Sequence, residues 1–113
     1  MRDEDRTRLR HMIDSAQAVL QFMAGRTRPQ LDADQMLLFA VVHAVQVLGE
    51  AASKVTPELR AAHPGIPWAA IVGMRNRLVH AYFDIDTDVV WVATSKEIPA
   101  LLPRLQALLA ATL

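Results

Sequence analysis

Near the start of the chain, apolar residues recur at helical spacing: Leu9, Met12, Ile13, Ala16, Val19, Leu20 and Met23. The i, i+3, i+4, i+7 stripe marks an amphipathic helix. It is expected to begin between Asp3 and Arg6 and to stop at Gly25, because glycine is favoured just past a helix C-terminus. RTRPQLDAD, from Arg26 to Asp34, is polar and reads as a connection, with Asp32 or Asp34 able to cap the next helix. From Asp34 to about Lys54 the chain is apolar on most faces, so this second helix should be the most buried element.

Beyond it, Thr56-Pro57-Glu58 reads as an N-cap followed by proline at the first helical position, opening a short helix through about Ala62. HPGIP breaks the chain, and Pro67 restarts a helix carrying Trp68, Ile71, Val72 and Met74. Asp84, Asp86 and Asp88 surround the next turn, and Asp86 or Thr87 caps a last helix that holds Val89, Val90 and Trp91. Pro99 and Pro103 are expected to kink or split that helix, since proline removes a backbone donor and clashes with the preceding turn. No segment alternates as a strand. These elements predict an all-α domain spanning residues 1–113, a four- to five-helix up-and-down bundle.

Composition narrows the picture. Twelve basic and twelve acidic residues cancel, so no overall basic field announces a nucleic-acid binder. Any such binding has to come from a local patch or from two subunits pooling their arginines. The chain lacks cysteine, which excludes disulfides and thiolate metal sites. The charged start, MRDEDRTRLR, has no apolar signal core. The run from Met36 to Ala52 is interrupted by His43, Gln46 and Glu50, which suits a buried core helix better than a membrane span. A cytoplasmic protein that does not engage a membrane is therefore expected.

The chemistry concentrates in RNRLVHAY, Arg75 to Tyr82. Arginine is permanently cationic and forks onto phosphate oxygens, while histidine exchanges protons near neutrality. Together they suit metal-free cleavage of a phosphodiester. On a continuous helix Asn76 and His80 would share a face, but Arg75 and His80 would point about 140° apart at 3.6 residues per turn. Three geometries remain open: the long Arg75 side chain wraps partway round, the helix ends near His80, or a second copy supplies part of the site. The homodimer is preferred, because it also brings two copies of Arg75 and Arg77 together.

Blander readings stand beside this one. Most helical histidines are packed or surface residues, so His11 carries no role, His43 reads as a core histidine and His63 as a loop residue. His43 and Glu50 are seven apart and share a face, but a pair is too few for a metal site. Arg75 by itself could pair with Glu50 or an aspartate. Asp84, Asp86 and Asp88 lack the glycine and terminal glutamate of a calcium loop and read as turn and cap residues. In a purely structural helical dimer, Arg75 and His80 would only cement the interface.

RNRLVHAY resembles the R-x4-H-x-Y signature of HEPN domains, in particular the HepT-like toxins of prokaryotic toxin–antitoxin pairs. LGEAASKV (48–55), HPGIPWAAIVGMRN (63–76) and DIDTDVVW (84–91) are similar to the same family in the expected order, so the likeness covers nearly the whole chain. The resemblance implies a helical bundle that dimerises with two motifs facing each other in a cleft, and a metal-independent endoribonuclease without a cofactor. It implies Arg75 and His80 as the catalytic pair, with Asn76 in support and RNA as substrate, while Arg77 is expected to help bind RNA as one of the arginines a dimer would pool. It also implies a cognate nucleotidyltransferase antitoxin of the type VII kind, which adds AMP to Tyr82. Some HEPN proteins with an intact motif are instead nucleotide-binding accessory subunits of a nucleotidyltransferase.

Overall fold

The computed structural model describes residues 1–81 and 84–111. Its helices are α1 (Asp3–Met23), α2 (Arg28–Ala33), α3 (Gln35–Ser53), α4 (Pro57–Ala62), α5 (Trp68–Leu78), α6 (Thr87–Val92) and α7 (Ile98–Ala111). A two-stranded sheet, β1 (Val79–Ala81) and β2 (Asp84–Ile85), sits between α5 and α6. Four long helical rods dominate, namely α1, α3, α5 and the run from α6 through α7, so the all-α bundle stands.

The apolar stripe on α1 is buried as its spacing requires: Leu9, Met12, Ile13, Ala16 and Val19 join Val41, Val45, Leu48, Ile71, Leu105 and Leu108 in one core. Gly25 lies at φ 71, the left-handed conformation that lets the chain turn off the helix end. Helices α1 and α3 run antiparallel. Buried Asp5, near the start of α1, accepts from the Thr56 backbone N–H at 2.9 Å and its hydroxyl at 2.6 Å, just past the end of α3. At the opposite end, Arg26 and Asp34 pair at 3.8 Å. Beside them Leu20 and Met23 of α1 line one pocket with Trp91, Thr94, Ser95 and Pro99, where the last rod packs on α1.

Helix α5 packs on the other side of α3, and Gly49 sets how closely. A Cβ at that position would lie 3.1 Å from the Ile71 carbonyl oxygen, part of a rigid backbone. Gly49→Ala gains about 0.5–1 kcal/mol of helix propensity but overpacks the seam, at about 1–3 kcal/mol. A net fall of a few degrees in Tm is expected, at about 4 °C or more per kcal/mol for a domain of this size. An unchanged melt in circular dichroism would show that α5 can slide freely.

Two expectations fail and a third is met in another form, each for a local reason. The polar connection contains helix α2, started by a capping box in which the Thr27 side chain accepts from Gln30 N–H and the Gln30 side chain accepts from Thr27 N–H. His43 is exposed rather than in the core, because the buried face of α3 is set by Val41, Val42, Ala44, Val45 and Leu48 on either side of it. The last helix is not interrupted by a loop at Pro99 or Pro103, but it departs from α-helical form just ahead of Pro99. Residues 93–97 widen into a π-helical turn, in which the Ile98 N–H reaches back five residues to the Ala93 carbonyl. That turn makes room for the ring of Pro99 immediately after it, and Pro103 is carried inside α7.

Candidate functional site

Helix α5 stops at Leu78, inside the RNRLVHAY motif. The Val79 N–H still bonds the Arg75 carbonyl, as a helix would. The Leu78 carbonyl, however, takes the Asp86 backbone N–H at 2.8 Å. β-branched Val79 then enters an antiparallel pair with Ile85, followed by Ala81 with Asp84. A strand was not expected here; β2, just before Asp86, supplies the partner that makes one. Arg75 and His80 are therefore not two points on one helix but sit on a helix and on the strand after it. Of the three geometries left open, the helix ending near His80 is the one found within a single chain. The helical face expected to join Asn76 to His80 does not form.

Arg75 is exposed and makes no ion pair among the described residues. It looks into an open groove of about 450 Å³ lined also by Arg8, His11, Gln46, Glu50, Ala51 and Lys54. Glu50, its candidate partner by sequence, lies in the same groove but pairs with Lys54 at 3.5 Å. Asn76 is exposed. Arg77 is engaged, through two contacts to the Glu97 carboxylate at 3.2 and 3.5 Å, so a phosphate would have to compete with that carboxylate. Tyr82, the proposed modification site, lies outside the described residues. His80 does not line the Arg75 groove.

His80 has a partner that the motif does not contain. Its Nε2 lies 3.2 Å from Asp86 Oδ2, while Asp86 Oδ1 accepts the Val89 N–H at 3.1 Å as the N-cap of α6. One carboxylate thus starts a helix with one oxygen and holds the imidazole with the other. With Nε2–H donating to Asp86, Nδ1 carries the free lone pair. The Val89 N–H and then His80 hold the Asp86 carboxyl below its ordinary value of 3.8, so it is ionised at neutral pH. Asp86 was legible as a cap, but its contact with His80 needs the hairpin and was invisible to helical spacing. Arg28 fixes the same corner, donating to Thr87 at 3.2 Å, Asp88 at 2.7 Å and Asp32 at 2.9 Å. Its hydrogen bonds to Asp32 and Asp88 raise its pKa further.

The sign of the linkage for Asp86 follows from its lowered folded value. Its ionised form contributes stability that is fully present above the unfolded value and is lost as pH falls through the folded one. Asparagine caps as well as aspartate, so Asp86→Asn isolates the charge. Wild type and Asp86→Asn are expected to differ in Tm at pH 7, with the gap closing as pH is taken below 3.8. A gap independent of pH would mean that the carboxylate charge contributes nothing.

Among the described residues, no three histidine or carboxylate side chains gather as a metal-ligand set. The arrangement offers instead an unpaired guanidinium in a groove and, nearby in sequence, an imidazole oriented by a carboxylate. The family described as ribonuclease HepT-like matches residues 12–108. The chain belongs to the HepT-like family. A Thermococcus cleftensis protein named "Probable ribonuclease HepT" is 36% identical over 75 residues, covering 66% of this chain and 68% of that one. A protein of Caldanaerobacter subterraneus subsp. tengcongensis named as a "Putative RNase" is 30% identical over 101 residues, covering 89% and 90%. No solved structure matches the chain. HepT-like membership spans the core helices and the whole RNRLVHAY segment, in keeping with the resemblance read from the sequence.

Proposed function

We propose that this chain is a metal-independent endoribonuclease, the toxin of a type VII-like pair whose antitoxin is a nucleotidyltransferase, acting on RNA in the cytoplasm. The observation that carries the reading is the pairing, within a HepT-like chain, of an exposed, unpaired Arg75 with a His80 held by Asp86. His80 takes the proton from a ribose 2′-hydroxyl. The oxygen attacks the adjacent phosphorus, the bond to the 5′-oxygen breaks, and that leaving oxygen takes back the proton held by His80. Arg75 stabilises the charge gathering on the phosphoryl oxygens. Asn76 and Arg77 flank the phosphate, Arg77 by exchanging Glu97 for it.

Arg75 and His80 occupy different elements, and His80 does not line the groove that Arg75 faces. This supports a site completed by a second copy, each subunit supplying one member of the pair. Exposed Phe22, Met36, Phe39 and Val47 on α1 and α3 offer apolar surface for such a contact. The test is incubation of purified protein with RNA and with DNA of the same sequence, with and without EDTA. RNA should be cut in both buffers and DNA in neither, since DNA lacks the 2′-hydroxyl. Loss of cleavage in EDTA would sink the metal-independent mechanism.

Two variants probe the finer parts. Asp86→Asn should lower kcat about tenfold with RNA affinity kept, a smaller loss than for a triad aspartate because the His80 side chain is 56% exposed. AMP on Tyr82, two residues after His80 in sequence, adds a negative charge and a bulky base that compete with RNA phosphate for Arg75. Tyr82→Phe should therefore remain toxic in cells that also express the nucleotidyltransferase. If those cells are protected, the antitoxin neutralises by sequestration, not by modification.

A further inference from the structure

We propose that Arg8 and His11 on α1 form a second phosphate-anchoring subsite, holding the RNA strand next to the phosphate at Arg75. The inference rests on the ribonuclease reading above and extends it to residues outside the motif.

Three observations converge on this groove. Arg8 and His11 are three apart, so α1 presents them on one face, flanking the stripe through Leu9, Met12 and Ile13 that enters the core. They meet Arg75, arriving from α5, across a floor made by Val47 and Ala51 of α3. Three elements distant in sequence thus bring two guanidiniums and an imidazole into one cleft.

The charges in that cleft are uneven. Glu50 is its only carboxylate among the lining residues, and it is paired with Lys54 at 3.5 Å. Arg8 and Arg75 make no ion pair among the described residues. Elsewhere most arginines do: Arg2 with Glu58, Arg6 with Asp3, Arg26 with Asp34, Arg28 with Asp32 and Asp88, and Arg77 with Glu97. In a chain of zero net charge, half-buried Arg8 and exposed Arg75, neither in an ion pair among the described residues, make a local cationic patch. A guanidinium forks onto phosphate, and the imidazole adds a hydrogen-bond donor. Gln46 offers an amide to a base edge, and the apolar floor suits a ribose or a base face. A single-stranded RNA backbone has this alternation of anionic and flat groups.

The test uses the full chain carrying His80→Ala, so that RNA is bound but not cut. Fluorescence anisotropy of a labelled single-stranded RNA is measured across a salt series. Arg8→Ala combined with His11→Ala is expected to weaken binding about tenfold and to flatten the plot of log affinity against log salt by about 0.7 per lost phosphate contact. Arg8→Lys keeps the charge and should keep the slope. With His80 restored, Arg8→Ala should raise KM and leave kcat unchanged. Equal affinity and slope in the double variant overturn the subsite. So does a variant that changes the oligomeric state by size exclusion, because Arg8 would then be an interface residue. If the parent protein binds no RNA and wild type cuts none, the ribonuclease reading falls first and takes the subsite with it. Binding and cutting by the parent, with no effect of Arg8, removes the subsite alone.

Discussion

Replacing either Arg75 or His80 by alanine is expected to abolish RNA cleavage while leaving the fold intact. Loss of a positioned general acid–base costs typically about 10² to 10⁴-fold in rate. Loss of one preorganised donor to a developing oxyanion costs about 10² to 10³-fold. Neither side chain holds the molecule together. Arg75 is exposed and makes no ion pair among the described residues, and His80, itself exposed, touches Asp86. Exposed substitutions away from caps and core contacts stay within about 0.5 kcal/mol. Single-turnover cleavage of labelled RNA should therefore collapse while thermal melts barely move. The two variants should also separate in kind. Arg75→Ala weakens RNA binding as well as rate, because the ground-state phosphate already carries charge. His80→Ala affects rate alone. Cleavage persisting in the double variant would place the chemistry elsewhere. Loss of folding in both would favour a structural dimer whose interface these residues cement.

Most of the bundle was legible because its signals are local. The α1 stripe, the Gly25 stop, the Asp34, Thr56 and Asp86 caps and the proline opening α4 each depend on residues within a turn or two, and each appears in the structure. Helix α2 was equally local, and the Thr27–Gln30 capping box with Pro29 would have revealed it. The π-helical turn before Pro99 is different: proline forbids the regular hydrogen bond but does not say whether the helix breaks or widens. Here the helix widens, with Val90, Ala93 and Ile98 of the same stretch buried in the core.

At the site, residue types were legible and geometry was not. RNRLVHAY reads as a helix by propensity, but the end of α5 is set by the Asp86 N–H reaching the Leu78 carbonyl, a contact across the hairpin. That same turn brings the Asp86 carboxylate to His80. Helical angles alone therefore identified the mismatch between Arg75 and His80 and supplied the wrong reason for it. The groove that gathers Arg8, His11 and Arg75 depends on three helices packing together, which no spacing within one segment encodes.

Mixing inactive subunits should restore activity if the site is shared. Suppose Arg75 of one subunit works with His80 of the other. In a dimer of one Arg75→Ala chain and one His80→Ala chain, one site carries both substitutions and the other carries neither. Random exchange puts half the subunit pairs in mixed dimers, each with one intact site of two, so about a quarter of wild-type activity should return. Against parents down by about 10² to 10⁴-fold, that recovery is unmistakable in a cleavage assay. It should rise with time as subunits exchange, and disappear when either parent carries both substitutions. Phe39→Glu, which places a charge on the exposed apolar surface of α3 away from the Arg75 groove, should block recovery by blocking assembly if this surface forms the dimer. No recovery from a mixture shown by mass to contain mixed dimers would mean that each chain uses its own Arg75 and His80. The wrap of Arg75 toward the β1 strand would then have to bridge helix and hairpin within one subunit.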